Sequence, residues 1–245
     1  MTALAGIALA GALYAWRARR VSWRRRLAFA SGLALLAGAQ LFDDGRLRWH
    51  MAQHLAIGDL APLLLLVGLT GPVLAPLLAL RPVRSLRVLA HPAVALPLWA
   101  LDLALWHVPR LYDAAEAHPA LHALEHLCLL VFGLAMWAPV VEVLPAPRWF
   151  GSALRLGYVL VVRAGMMALG NVFLFSGTPL YYGSLGDQRA AGGLMMLEGT
   201  TVTLGAFAWF FLRLFRESEA RERLVEAGVA PSRAARAARY GRAAP

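Results

Sequence analysis

The segment "HPALHALEHLCLLVFGLAMWAPVV", His118–Val141, decides how the chain is read. From Leu127 on it is almost wholly apolar, and with the residues before it the segment reaches the roughly 20 residues that cross a bilayer as a helix. Yet it opens with His118, His122 and His126, spaced four apart and therefore on one helical face. A membrane helix that begins with three imidazoles in register is a structural element and a candidate site at once.

Working outward, 60% of the 245 residues are hydrophobic, above the roughly half of a soluble domain. The apolar residues fall into long runs. Spans are expected at roughly 2–16, 26–42, 50–70, 92–107, 119–141, 153–175 and 191–213. The fold class expected is all-α: a polytopic membrane helix bundle of about seven transmembrane helices over residues 1–213, followed by a basic, partly disordered tail over 214–245. The first and fourth spans are short and call for tilt or local thinning. Pro62, Pro72 and Pro76 are expected to kink or end the third span, with its boundary at the "TGP" that begins at Thr70.

The formal net charge is +10, and all basic residues are arginine. They lie in short stretches between apolar runs, which fits membrane topology and argues against a nucleic-acid partner. Six sit in "RARRVSWRRR", three in "RPVRSLR", two in "PAPRWFGSALR" and eight in the tail from Arg213. The intervening loops carry only Arg46, Arg48, Arg110 and Arg189. The excess predicts a cytoplasmic C-terminus and an external N-terminus. The N-terminal "MTALAGIALAGALYAW" has no basic residues ahead of its apolar run, so it reads as a retained span and not a signal peptide. The tail is suited to contact with anionic lipid.

On this topology His50, His54, His107, His118, His122 and His126 gather at the outer face, on three spans, and only His91 lies at the other. "HMAQH" places His50 and His54 one turn apart, and "HALEH" does the same for His122 and His126. Two such pairs, one from each of two helices, suit a four-coordinate ion. His118 and His126 lie about 12 Å apart along the axis and cannot share one. Imidazole suits copper, zinc or iron, and a thioether favours cuprous copper; Met51, Met195 and Met196 stand nearby in sequence, although methionine in an apolar helix is more often filler. "HALEH" also fits the H-x-x-E-H pattern of inverted zinc peptidases, but no third ligand with their spacing is evident, and Glu125 reads better as a hydrogen-bonding or proton-carrying neighbour of the ion. The lone Cys128 is turned off the histidine face and reads as a small core residue. Of the charges inside spans, Arg163 is expected to be neutralised by Asp59 or Asp102, with Glu198 a further intramembrane carboxylate.

"HMAQHL", "WHVPRLYDAA", "HPALHALEHL" and "DQRAAGGLMM" together resemble, in order and spacing, the multi-span CtaG-like cytochrome c oxidase assembly family linked to caa-type oxidases, over roughly residues 40–215. This is distinct from the single-span copper chaperone that shares the name. The resemblance carries over His50, Gln53 and His54; Trp106, His107, Pro109 and Tyr112; His122 and His126; and Asp187, Gln188, Gly192 and Met195. The chain departs from its relatives at Glu125, where they carry a polar uncharged residue, and at Met196, where they carry Trp. The resemblance implies a multi-pass protein of the bacterial plasma membrane that assembles a haem–copper oxidase by handling copper, with oxidase subunits and the lipid bilayer as partners and no catalytic residues. The metal-site expectation is His50, His54, His122 and His126 as direct ligands, with His107, Met195 and Asp187 as further ligands or a transfer path. A haem-binding redox protein, a copper or ion transporter and a metal-free scaffold are the competing readings.

Overall fold

The computed structural model describes residues 2–41, 45–80, 86–143, 147, 149–181 and 183–240, and among these the regular structure is helical throughout. Of the arginines used to orient the spans, Arg81, Arg84, Arg148 and Arg242 lie outside the described residues. Among the described residues ten α-helices follow in order: α1 Thr2–Arg17, α2 Trp23–Ala39, α3 Leu47–Gly68, α4 Gly71–Ala79, α5 Pro92–Trp106, α6 Pro109–Ala117, α7 Pro119–Val141, α8 Ser152–Phe175, α9 Leu185–Glu226 and α10 Pro231–Tyr240. Four of these, α3, α7, α8 and α9, are long and apolar enough to cross a membrane, and α5 is a shorter apolar helix of 15 residues. The helices α1 and α2, at 16 and 17 residues, fall just short of a full span.

Helix α3 is the axis of the bundle. Its first half packs against α9, and its second half against α2 and α7. It is not regular: residues Ala56–Leu60 form a π-helical turn. Pro62 follows two residues later and lacks the N–H that would bond the Gly58 carbonyl in a continuous α-helix, so the ladder must be disturbed near here. The Gly58 carbonyl is met by Gly133 of α7. A Cβ at Gly133 would collide with it, which is why the closest α3–α7 approach runs through a glycine. A similar contact joins α8 and α9, where a Cβ at Gly192 would lie 2.7 Å from the Gly170 carbonyl. As expected, α3 ends before Thr70, with Leu69 extended. The carbonyls of Val67 and Leu69 at that end accept hydrogen bonds from Arg25 at 3.3 and 3.2 Å, where a cation is favoured by the helix dipole.

The far end of the molecule is held by charge. Glu142, in the left-handed region at φ 61°, caps α7 and pairs with Arg155 of α8 and with Arg213 of α9 at 2.6 Å. Glu217 bonds Arg213 at 3.0 Å and accepts from the Ser152 hydroxyl at 2.7 Å. Residue 213, taken from sequence as the bundle boundary, therefore lies inside one continuous helix that runs on to Glu226. Beyond it, α10 turns back along α9 and lays Arg239 against Gly151, at the start of α8.

Candidate metal centre

Helices α3 and α7 enter the bundle from the same end, so their histidine pairs meet in register. The His50 ring stacks on His122 with centroids 5.4 Å apart, and one turn deeper His54 meets His126 edge-on at 5.6 Å. Within each helix the rings are 4.1 Å (His50–His54) and 4.3 Å (His122–His126) apart. Helix α5 adds a fifth ring: His107, at its C-terminus, lies 6.5 Å from His54. His118 caps the start of α7 on the exposed surface, and His91 is at the opposite end of α5, beside Trp149.

One atom from each of His50, His54, His122 and Glu125 falls within 4.8 Å of the others, close enough to ligate a single ion. Glu125, expected as a neighbour of the site, thus brings its carboxylate into it. Its side chain is fully buried, 3.6 Å from His54 Nε2. Neither Glu125 oxygen, nor His54 Nδ1, nor the Nε2 atoms of His50, His107 and His126, finds a hydrogen-bond partner among the described residues. Buried polar atoms are rarely left so. Lone pairs converging without donors are what a cation requires.

Around this group the surroundings orient the rings. The Nδ1 atom of His107 lies 2.7 Å from the Leu103 carbonyl. A carbonyl only accepts, so Nδ1 carries the proton and Nε2 keeps its lone pair. Glu116 of α6, not singled out from sequence, lies 3.2 Å from His50 Nδ1, and this contact holds its carboxyl below the ordinary range despite partial burial. Only the tertiary packing of α6 on α7, which brings Glu116 to His50, could have identified it. Tyr112 packs its ring 5.1 Å from His50.

The remaining expected residues serve the site in different ways. Asp187 is paired with Arg48 at 3.1 Å and stands outside the four-residue group. Gln188 accepts from the Leu180 amide at 2.6 Å and donates to the Phe173 carbonyl at 3.2 Å, tying down the loop between α8 and α9. That loop carries Tyr181, whose hydroxyl donates to the His107 carbonyl at 2.7 Å. Met195 is buried and lines a cavity beneath the histidines. Gln53 donates to the Ala39 carbonyl at 2.5 Å and lines the cavity above the centre. Arg163 is neutralised as expected by Asp59, at 2.5 Å, and also by Glu198, at 3.2 Å. Asp102 is not its partner; that carboxylate accepts from the Trp106 indole at 2.9 Å.

A cavity of about 480 Å³ opens above the centre, lined by His50, His122, His126, Glu116 and Tyr112. The model of the cytochrome c oxidase caa3 assembly factor family (Caa3_CtaG) matches residues 8–217, which include every residue of this centre. The chain belongs to that family. No curated protein and no solved structure matches the chain. The Caa3_CtaG family is one of assembly factors and not of catalysts, and with several membrane-length helices this member is a multi-pass membrane protein. The His50, His54, His122 and Glu125 cluster is one that could hold a metal ion.

Proposed function

We propose that this protein assembles a caa3-type oxidase by accepting copper at the histidine centre and passing it to an oxidase subunit. The observation that carries this reading is the convergence of His50, His54, His122 and Glu125 within 4.8 Å on two parallel helices. Three imidazoles and a carboxylate suit divalent copper or zinc by ligand type, and the oxidase role of the family selects copper. His126 lies beside the group and completes the histidine pairs. His107 and Met195 lie on the path inward, and Asp187 acts through Arg48 at the rim. No bond of the polypeptide is made or broken; the ion exchanges one set of ligands for another through the open cavity above.

The arrangement suits a single ion better than haem. Bis-histidine haem ligation needs a flat macrocycle between two rings, whereas here each histidine touches another histidine directly. Full transport is opposed by the Arg163–Asp59–Glu198 cluster, which fills the middle of the bundle below the centre. In our reading α1, α2 and α5 also cross, completing seven spans in the bacterial plasma membrane. The histidine end then faces the outer compartment and the arginine-rich end the cytoplasm.

The test is metal analysis of detergent-purified protein. Wild type is expected to bind copper. His54→Ala/His126→Ala, which leaves span hydrophobicity intact, is expected to lose nearly all of it. Cells carrying this variant should make oxidase polypeptides deficient in copper, with activity partly restored by added copper. A folded double variant that binds copper normally and supports full oxidase activity would show these histidines to be structural.

A further inference from the structure

Below the histidine centre lies a second, smaller cavity of about 40 Å³, lined by Met51, His54, Trp99, Asp102, His107, Met166 and Met195 among others. His54 belongs to both levels: it contributes to the upper group, and its ring forms part of the wall of the lower cavity. Three methionines from three different helices, α3, α8 and α9, meet in this one space, each at least 95% buried. His54 is 6% exposed, and its Nδ1, like the His107 Nε2, finds no hydrogen-bond partner among the described residues.

We propose that this lower cavity is a second cation site, taking a soft monovalent ion of the cuprous type on the thioethers of Met51, Met166 and Met195 with the imidazoles of His54 and His107. The inference rests on reading the upper cluster as the place where the ion enters. The chemistry of the two levels differs. The upper set is nitrogen and carboxylate oxygen, which suits a divalent ion. The lower set is neutral sulfur and nitrogen, which suits Cu(I) or Ag(I). The two carboxylates that border the lower cavity are already engaged. Asp59 pairs with Arg163 and accepts from Trp137, and Asp102 accepts from Trp106. Asp59 is neutralised by Arg163, so apart from Asp102, held to Trp106 through one oxygen, the lining offers neutral donors, which match a monovalent ion better than a divalent one, whose cost of removal from water rises with the square of its charge. His54, common to both levels, lets an ion pass between them by ligand exchange without leaving the protein. Methionines that only filled space would need neither a shared cavity nor the unpartnered His54 Nδ1 and His107 Nε2 beside them.

Ag(I) and Zn(II) separate the two levels. Both would be titrated into full-length protein in detergent, in a Cys128→Ser background so that no thiolate contributes. The substitutions Met51→Leu, Met166→Leu and Met195→Leu together, which nearly conserve volume, should weaken Ag(I) at least about tenfold and leave Zn(II) unchanged. His50→Ala/His122→Ala should abolish Zn(II) binding and retain Ag(I). If the triple variant holds Ag(I) as tightly as its parent, the methionines are packing only and the proposal fails. If Zn(II) survives the histidine changes, the upper reading fails separately. Should the triple variant not fold, X-ray absorption of the Ag(I)-loaded parent decides: sulfur neighbours support the lower site, and nitrogen and oxygen neighbours alone overturn it.

Discussion

Arg163 shows how much a single residue carries in this bundle. It is 1% exposed, and it faces two carboxylates on two other helices. Arg163→Leu would leave Asp59 and Glu198 facing each other in a low-dielectric interior. The expected loss is about 3–5 kcal/mol, seen as a lower protein level and a lower thermal midpoint in detergent. Arg163→Leu/Asp59→Asn should recover part of it; a double variant no better than the single would refute the ion-pair account. That Arg163 needs an anion was legible from the cost of a charge in a span. Which anion was not, because Asp59 and Asp102 are at similar depth and only packing brings Asp59 to Arg163, while Asp102 bonds Trp106 one turn along its own helix. At the metal centre, Glu125→Gln keeps the shape and removes the charge. It should reduce divalent-ion affinity by about tenfold or more, measured by competition with a chelator, and leave the helical circular dichroism unchanged. An unaltered affinity would return Glu125 to the role of a neighbour. The histidine pairs were legible from their spacing of four. Glu116 was not, since nothing in "PRLYDAAEA" says that α6 lies over His50.

The elements are held at two joints, one in the middle of the bundle and one at its arginine-rich end. At the first, α3 and α7 cross where Gly133 meets the Gly58 carbonyl, and this crossing sets the distance between the two histidine pairs. Gly133→Ala should therefore act twice: it should destabilise by about 1–3 kcal/mol and weaken metal binding, although no ligand is changed. A variant with normal stability and affinity would show that the helices part without cost. Pro62 marked the disturbance of α3 in the sequence, but the π-helical turn that answers it depends on neighbours that Pro62 does not specify. At the second joint, burial raises the proton affinity of Glu142, but the bonds from Arg213 and Arg155 outweigh it and hold the carboxyl below its ordinary value of 4.5. The stabilisation from Glu142 is then complete above about pH 4.5 and is lost as the pH falls through the lower folded value. The thermal midpoint of the wild type should drop on acidification more steeply than that of Glu142→Gln, which begins lower. Parallel pH profiles would remove Glu142 from the joint.

For the whole molecule, the decisive measurement is orientation. A reporter fused after the tail should behave as cytoplasmic, and one inserted near Asp113 as external. The reverse would place the histidine centre on the cytoplasmic side, the wrong compartment for the proposed function. This expectation comes from nineteen arginines on one side against four on the other, a property of loops that needs no tertiary knowledge. The sequence by itself determined the helical class, the apolar runs and the histidine spacing. Each of these follows from local composition and from the fixed pitch of a helix. It also carried the family, through four motifs in order. Only the tertiary structure decided that His50 stacks on His122, that Glu125 comes within reach of the same three histidines, that Asp187 is taken by Arg48 and that three methionines share a cavity with His54 and His107. The reason is physical: pitch relates residues within one helix, but the rotation and offset between two helices depend on how their surfaces pack, and here on glycines and a proline whose partners lie elsewhere in the chain.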